Sequence, residues 1–257
     1  MDEYVTIAIL AKDKAHTLPL FLQCIQNQTW PAERTYLYVR TNNNNDDTAQ
    51  ILRLWLDQVQ HRYAKIYFND QAVAENIQQF GQHEWNGVRF KILGKIRQES
   101  VAWAYEQHSH YFVVDCDNFI KPHTIEKLMQ DKLSIVAPFL IRKYFQYSNY
   151  HAAVDQNGYF QPSDNYFMIF NRQVTGLIEV PVVHCAYFIR YDTLPFILYD
   201  DDSYRYEYVI FSDQARKKRI TQYIDNRDVY GMITFATNKE ELEKEGIEQE
   251  VLSWFKK

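Results

Sequence analysis

The segment YFVVDCDNF, residues 111–119, places two carboxylates two positions apart at the end of an aromatic and β-branched run. Such a run predicts a buried strand, and ionised Asp115 and Asp117 are costly there unless they are paired or bind a cation. The hard cations Mn²⁺ and Mg²⁺ take oxygen ligands and keep coordination positions for substrate phosphates. In extended backbone the two carboxylates lie on the same side, roughly 6.6 Å apart. We therefore predict a divalent cation at this pair; a solvated strand end is the alternative.

Alternating strand and helix patterns precede this segment and predict how it is positioned. Strands are expected at residues 4–11, 34–41 and 64–70, and helices at 16–28, 48–63 and 91–109. This order is typical of right-handed βαβ units on a parallel sheet, which binds ligands at the carboxyl ends of its strands near a topological switch point. The polar groups that follow the strands should therefore converge: Lys12 and Asp13, residues 42–47, Asn69 and Asp70, and Asp115 and Asp117.

The second half of the chain is less regular. We expect a short helix from Pro122 to about Gln130, strands at 133–142 and 179–192, a helix at 204–219, and an amphipathic helix at 238–257 capped by Asn238. Residues 71–90 are predicted to be loop-rich, and the Tyr-, Asn- and Phe-rich stretch 143–180 is predicted to be an acceptor-side region or lid. The acids at 200–202 are interpreted as a solvated turn.

Composition narrows the class of protein. With 257 residues, 46% of them hydrophobic and 24% charged, the chain suits one large globular domain. A net charge of -5 disfavours nucleic acid and anionic membranes as partners. The three cysteines lack metal-ligand spacing and are predicted to be buried free thiols. No basic leader or membrane-length apolar segment is visible, so we expect a soluble protein of the cytoplasm, or of the host-cell cytoplasm for a viral source; the endoplasmic reticulum applies only if the sequence is trimmed.

Several motifs carry a family likeness. In the same order, over roughly residues 4–235, the chain resembles the first glycosyltransferase domain of the procollagen galactosyltransferases and, more distantly, the glycosyltransferase domain of lysyl hydroxylases. The segments that carry this resemblance are VTIAILA, HTLPLFLQCI, DDTAQILRLWLDQVQ, RFKILGKIRQ, HYFVVDCDNFI, LSIVAPFL, YSNYHAAVDQNGYF, VPVVHCAYFI and YEYVIFSDQARKKRITQYIDNRDVYG.

The resemblance implies a GT-A-type α/β fold, with a mixed, mostly parallel sheet flanked by helices, in a single domain. Its nucleotide-binding half would be about 1–120, its acceptor-side half about 121–237, and its C-terminal helix 238–257. It also implies inverting transfer of galactose or glucose from UDP-galactose or UDP-glucose, with Mn²⁺ or Mg²⁺, to hydroxylysine of a collagen-like polypeptide. Another glycan or protein acceptor, or an inactive binding module, are the alternatives. The sugar and a homo-oligomeric state stay open.

The resemblance also assigns roles to the strand-end residues. Asp115 and Asp117 would hold the metal, and Asp115 with Cys116, Ala11 and Lys12 would contact the sugar nucleotide. His184, in VPVVH, would be a third metal ligand; its alternative is a buried core histidine.

Three further groups are expected around the sugar nucleotide and the acceptor. Asn42, Asn44 and Asp46 lie in the loop where related transferases bind the nucleotide, although a helix-capping turn would also explain them. Lys95 and Arg97, in GKIRQ, would offset diphosphate charge, or are exposed helix residues. Glu207 is the expected general base. Its alternative is an acid favoured by the helix dipole, and Asp202 is the next candidate base.

Overall fold

The computed structural model describes residues 3–73 and 86–256. Their strands are β1 Val5–Ala11, β2 Thr35–Thr41, β3 Lys65–Asn69, β4 His110–Val114, β5 Asn118–Ile120, β6 Ile135–Pro138, β7 Leu140–Arg142, β8 Tyr150–His151, β9 Leu177–Glu179, β10 Val182–Val183, β11 Ala186–Ile189, β12 Gln222–Asp225 and β13 Gly231–Ile233. Their α-helices are α1 Leu18–Gln26, α2 Thr48–Val59, α3 Gly87–Glu106, α4 Thr124–Gln130, α5 Asp164–Phe170, α6 Glu207–Lys217, α7 Lys239–Glu245 and α8 Ile247–Ser253.

The central sheet is mixed, and its strand order places β1 beside β4. The order is β3-β2-β1-β4-β11-β6-β12-β9, with β1 parallel to both β2 and β4 and with β11 antiparallel to β4 and β6. The chain first winds from β1 outward to β3 and then crosses back to β4 on the other side of β1. The carboxyl ends of β1 and β4 therefore flank a topological switch point, where open α/β sheets bind their ligands.

Both faces of this sheet are buried, because successive side chains of a strand point to opposite faces. In β1, Val5, Ile7 and Ile9 belong to a core layer formed with α1, α2 and α8. Ala8 belongs instead to the layer on the other face, formed with α3 and α6. This two-sided burial explains why the strands read as continuous apolar runs. In the described ranges no helix is long and apolar enough to cross a membrane.

A smaller sheet, β5-β13-β7, begins directly after the acid-bearing segment. β13 lies very close to β5, since a Cβ added to Gly231 would be 2.0 Å from the carbonyl oxygen of Phe119. Glycine at this position lets the two backbones approach. The small sheet thus fixes the backbone that leaves the switch point.

The mixed sheet and the helices that alternate with its first strands are confirmed, but three long segments predicted from sequence are divided. Residues 133–142 form β6 and β7, which belong to different sheets. Residues 179–192 contain β10 and β11, separated at Cys185, whose φ of 62° is left-handed. The C-terminal segment forms α7 and α8, because Gly246 takes a φ of 62° between them. Helix α3 begins at Gly87, within the predicted loop; residues 74–85 of that loop lie outside the described residues.

Candidate active site

The loops that leave β1 and β4 meet at the switch point. The two strands pair in parallel from Val5 with His110 to Ala8 with Val113, so their carboxyl ends lie side by side. The thiol of Cys116 is buried against this junction, with Sγ 3.7 Å from the carbonyl oxygen of Leu10. Burial raises the pKa of the Cys116 thiol well above its ordinary value, so the group is a neutral thiol. Its predicted contact with the sugar nucleotide stays a prediction.

Asp115 and Asp117 lie in a tight turn, and not in the extended backbone that the sequence predicted. The N–H of Asn118 donates to the carbonyl oxygen of Asp115 at 2.9 Å, which closes the turn. The N–H of Asp115 donates to Cys185, and the N–H of Thr234 donates to Asp117. The backbone of this acid turn, residues 115–118, is therefore held from β4, β13 and the β10–β11 break.

Asp115 belongs to an inner ion cluster with Arg97 and Glu207. Arg97 Nη2 donates to Asp115 Oδ1 at 2.7 Å, and Arg97 Nε lies 3.3 Å from Glu207 Oε1. The side chains of Arg97 and Glu207 are only 4% and 5% exposed, whereas that of Asp115 is 31% exposed. Asp115 thus connects a buried charge cluster to the mouth of the site.

One buried cation faces two acids in this cluster. Burial raises the pKa of Glu207; the nearby Arg97 opposes this rise and Asp115 adds to it. Burial likewise raises the pKa of Asp115 against the opposing effect of Arg97. A carboxylate with a raised pKa is a better proton acceptor near neutral pH.

Helix α3 approaches this cluster closely. A Cβ added to Gly94 would be 2.8 Å from the carbonyl oxygen of Tyr199 and 3.6 Å from Cβ of Glu207. Arg97 lies one turn later on the same face of α3. Lys95 is exposed, since residues two apart on a helix point to different sides. Arg97 is therefore not the exposed residue of the alternative interpretation, whereas Lys95 is exposed; that the two residues offset diphosphate charge stays a prediction.

Asp117 forms an outer ion pair with Lys14, a residue that the sequence analysis did not select. Lys14 Nζ lies 2.7 Å from Asp117 Oδ2, and the two side chains are 18% and 22% exposed. Lys14 is the second lysine of the KDK segment that follows β1. Its position in the polar segment directly after the first predicted strand is the sequence signal that could have identified it. Lys12, two residues earlier, pairs with Asp13 instead.

The loops after β1 and β2 hold each other in place. Asp46 Oδ2 accepts from the N–H of Ala15 at 2.9 Å, and its Oδ1 accepts from the N–H of Thr48 at 3.0 Å. Asn44 Oδ1 accepts from the N–H of Asp13 at 3.0 Å. Asp46 and Asn44 therefore organise the two loops, as in the capping-turn interpretation, although Asp47, the residue at the N-cap of α2, makes no side-chain cap hydrogen bond. Their contact with a nucleotide stays a prediction.

The remaining predicted residues have distinct surroundings. Ala11, the last residue of β1, is buried and pairs in register with Thr41 of β2. Asn42 is buried directly after β2, with Nδ2 3.2 Å from Asn43 Oδ1. Asp202 is exposed in a bend, as the solvated-turn interpretation predicted, with a φ of 61°.

His184 lies at the break between β10 and β11, inside an aromatic cluster. The sequence analysis did not predict this cluster, because residues 143–180 show no clear periodicity. The ring centroid of His184 is 5.1 Å from that of Tyr208, 5.2 Å from that of His151 and 6.1 Å from that of Tyr147. Burial lowers the pKa of His184 well below its ordinary value, and nearby His151 and Arg97 lower it further, so its imidazole is neutral. Its Nδ1 lies 2.9 Å from Cys185 Sγ. Cys185 is itself half-buried, whereas Cys24 and Cys116 are buried as predicted.

The acid turn fits a cation that completes its coordination with phosphate oxygens. Asp115 pairs with its cation through Oδ1 and Asp117 through Oδ2, and both side chains are partly exposed. Asn118 is fully buried, and its amide atoms have no hydrogen-bond partner within residues 3–73 and 86–256. In the same ranges, no group of three or more His, Cys, Asp and Glu side chains is placed to hold a metal. Two carboxylates plus substrate phosphates are a common donor set for such a cation; His184 as a third ligand stays a prediction.

Sequence comparison identifies the family. The family model described as "Glycosyltransferase family 25, N-terminal domain" matches residues 2–253. The chain belongs to glycosyltransferase family 25. Procollagen galactosyltransferase 2 of Homo sapiens is 30% identical over 254 residues, which cover 95% of this chain and 40% of the relative. Procollagen galactosyltransferase 1 of Danio rerio is 30% identical, covering 88% of this chain and 39% of the relative.

Another relative carries a different description. The inactive glycosyltransferase 25 family member 3 of Mus musculus is 32% identical over 192 residues, which cover 74% of this chain and 32% of that protein. The family 25 chain thus spans about two fifths or less of these curated relatives.

Solved structures show the fold. S. aureus TarS residues 1–349, in complex with UDP-GlcNAc, matches with a TM-score of 0.58 at 12% identity, over 91% of this chain and 59% of that one. The mannosyltransferase PcManGT from Pyrobaculum calidifontis, in complex with GDP-Man and Mn²⁺, matches with a TM-score of 0.53 at 14% identity, over 90% and 57%. At this identity the likeness concerns architecture alone, and it confirms the GT-A fold predicted from the sequence.

Proposed function

We propose that this family 25 chain transfers galactose or glucose from a UDP-sugar to hydroxylysine of a collagen-like polypeptide, with inversion at the anomeric carbon. The observation that carries the proposal is an intact acid turn at the switch point of a chain whose family match spans residues 2–253. The names of the relatives support galactose and procollagen as the starting hypothesis for sugar and acceptor.

In this proposal the sugar nucleotide lies across the loops after β1, β2 and β4. Asn42, Asn44 and Asp46 face the nucleoside, and Ala11 and Lys12 form the floor beside it. Asp115 and Asp117 hold Mn²⁺ or Mg²⁺, which offsets the charge that develops on the departing diphosphate. The interlocked loops support this arrangement, because Asp46 fixes the spacing between the β1 and β2 ends before any ligand binds.

Glu207 is the proposed general base. The acceptor hydroxyl oxygen forms a bond to the anomeric carbon as the bond from that carbon to the diphosphate oxygen breaks. The bonding electron pair leaves with UDP, and the hydroxyl proton passes to Glu207. Its raised pKa and its place in the ion cluster with Asp115 support this role. Exposed Asp202 is the next candidate.

Two alternatives remain as outcomes of the experiment. A UDP-sugar transferase with another glycan or protein acceptor would keep the acid turn and lose the dependence on hydroxylysine. A binding module without turnover is favoured by one observation, the relative described as inactive. Retention of both acids argues for the enzyme.

The decisive experiment incubates the protein with UDP-galactose, UDP-glucose and UDP-GlcNAc, Mn²⁺ and a hydroxylysine peptide, and measures UDP release and the mass and linkage of the product. We expect transfer of a hexose to the peptide with hydroxylysine and none to the matched lysine peptide. UDP release without the acceptor indicates a transferase for another acceptor. Binding without any UDP release supports the module.

Asp117→Ala tests the metal role. We expect loss of detectable transfer and of the Mn²⁺-dependent thermal stabilisation by UDP. Asp228→Ala is the matched control, because Asp228 also pairs with a lysine, Lys121, at 3.2 Å, but lies in the turn before β13 and has no role in the proposed site. Its transfer rate should equal that of the wild type. If Asp117→Ala transfers sugar at the wild-type rate and is stabilised by UDP with Mn²⁺ as the wild type is, the acid turn has no part in the mechanism.

A further inference from the structure

The outer ion pair joins two loops whose backbones are both fixed. The N–H of Lys14 donates to Thr48 Oγ1 at 2.7 Å, and the carbonyl oxygen of Lys14 accepts from the N–H of Leu18 at 3.0 Å. Asp117 is held by the hydrogen bond from Thr234 to its carbonyl oxygen. The meeting of the ammonium and the carboxylate is therefore built into the fold, while the flexible four-carbon stem leaves the ammonium able to change partner.

Two cations contact the acid turn in the described structure, and they differ in burial, with side chains 4% exposed for Arg97 and 18% exposed for Lys14. Arg97 faces two acids inside the protein and cannot leave without exposing buried charge. Lys14 has a partly exposed partner at the mouth. A divalent cation bound by Asp117 would compete with the Lys14 ammonium for the same carboxylate, because both are attracted by the same negative charge.

We propose that Lys14 couples the divalent cation to the sugar nucleotide: its ammonium competes with the cation for Asp117, and it pairs with the diphosphate once the cation has taken that carboxylate. The inference rests on the proposed function, because it takes a nucleoside diphosphate as the ligand. Lys14 then lowers the affinity for the cation alone and raises the affinity for the cation and nucleotide together.

The coupling is measurable because cation and nucleotide must affect each other's binding by the same factor. The ratio of the Mn²⁺ dissociation constants without and with saturating UDP gives that factor. Lys14→Met removes the ammonium and keeps an unbranched side chain. Without UDP, we expect Lys14→Met to bind Mn²⁺ roughly 5-fold or more tightly than the wild type, and the coupling factor to fall by about 5-fold or more.

The experiment follows free Mn²⁺ by electron paramagnetic resonance during titrations with and without UDP. Lys121→Met is the matched control, because it removes the lysine of another Lys–Asp pair with the same change in net charge. It should leave Mn²⁺ affinity and coupling at wild-type values, and Lys14→Arg should keep most of the coupling. In an Asp117→Asn background, Lys14→Met should no longer tighten Mn²⁺ binding.

Each outcome has a defined meaning. The inference is overturned if Lys14→Met binds Mn²⁺ without UDP no more tightly than the wild type does, or if its coupling factor is unchanged. In that case the proposed function still stands, provided that the wild type binds UDP. If the wild type binds neither UDP nor UDP-sugars at millimolar concentration with Mn²⁺, the proposed function fails instead. Lys14→Gln, measured in parallel, provides the same comparison should the methionine variant not fold.

Discussion

The two acids of one turn contact cations that differ in burial. Asp115 contacts Arg97, a buried residue of a 20-residue helix that also faces Glu207. Asp117 contacts Lys14, a partly exposed residue of a loop. One residue, Cys116, separates the two acids, and the difference lies in their cations, because the side chain of Arg97 is 4% exposed and that of Lys14 is 18% exposed.

The comparison separates a fixed charge from an exchangeable one. In the inner cluster, loss of the arginine would leave the buried carboxylate of Glu207 and the partly exposed one of Asp115 without their cation, which is strongly unfavourable. In the outer pair, both side chains are partly exposed, at 18% and 22%, so water reaches them and we expect a smaller cost when the lysine is removed. A site that binds and releases an ionic ligand needs both properties: a rigid frame and a carboxylate whose partner can change.

The largest expected effect tests the catalytic role of Glu207 in the inner cluster. Glu207→Gln should lower turnover by about 10²- to 10⁴-fold, because the amide cannot accept the hydroxyl proton. The dissociation constant of UDP should stay unchanged. Steady-state kinetics with UDP titrations check both values, and normal turnover would move the base to Asp202 or another acid.

The same variant has a defined pH signature. Since the pKa of folded Glu207 is raised above its ordinary value of 4.5, the folded state binds more protons than the unfolded state in the range just above pH 4.5. Wild-type stability from this group is therefore lost as the pH rises from 4.5 through the folded pKa. The difference in free energy of unfolding should grow in favour of Glu207→Gln over that range; a flat difference would contradict the raised pKa.

The next effect tests the inner cluster as structure. Arg97→Met should reduce the free energy of unfolding by about 3–5 kcal/mol, because it leaves buried charge unpaired. Arg205→Met is the control: Arg205 also bridges two acids, Asp201 and Asp213, but its side chain is 21% exposed, so a loss of about 1 kcal/mol is expected. Urea denaturation gives both values. Equal losses of unfolding free energy in the two variants would mean that burial of the arginine does not set its contribution to stability.

The smallest expected effect concerns the contribution of the outer ion pair to stability. A double-mutant cycle with Lys14→Met, Asp117→Asn and the double variant should give a coupling free energy of unfolding below about 1 kcal/mol. The same denaturation series provides the measurement. A coupling of 3 kcal/mol or more would make the outer pair a structural lock and would argue against exchange.

Much of the site was accessible from the sequence, because it lies in contiguous motifs. Asp115 and Asp117 follow an apolar run, and strand and helix periodicity placed the loops after β1 and β2 beside them. The predictions that were wrong concern segments where the buried chain passes to another sheet or changes direction. The run through Phe139 stays apolar although the chain passes from β6 to β7, so its pattern contains no sign of the break.

The sequence by itself determined the alternation of elements and the family, and it selected Asp115 and Asp117 as the candidate chemical centre, although it predicted extended backbone where the chain forms a turn. Only the tertiary structure decided which charges meet there. Lys14 and Asp117 are 103 positions apart and pair because β1 and β4 are neighbours in the sheet. Local periodicity sets whether a segment forms a strand, whereas the order of strands depends on how whole layers bury their apolar faces.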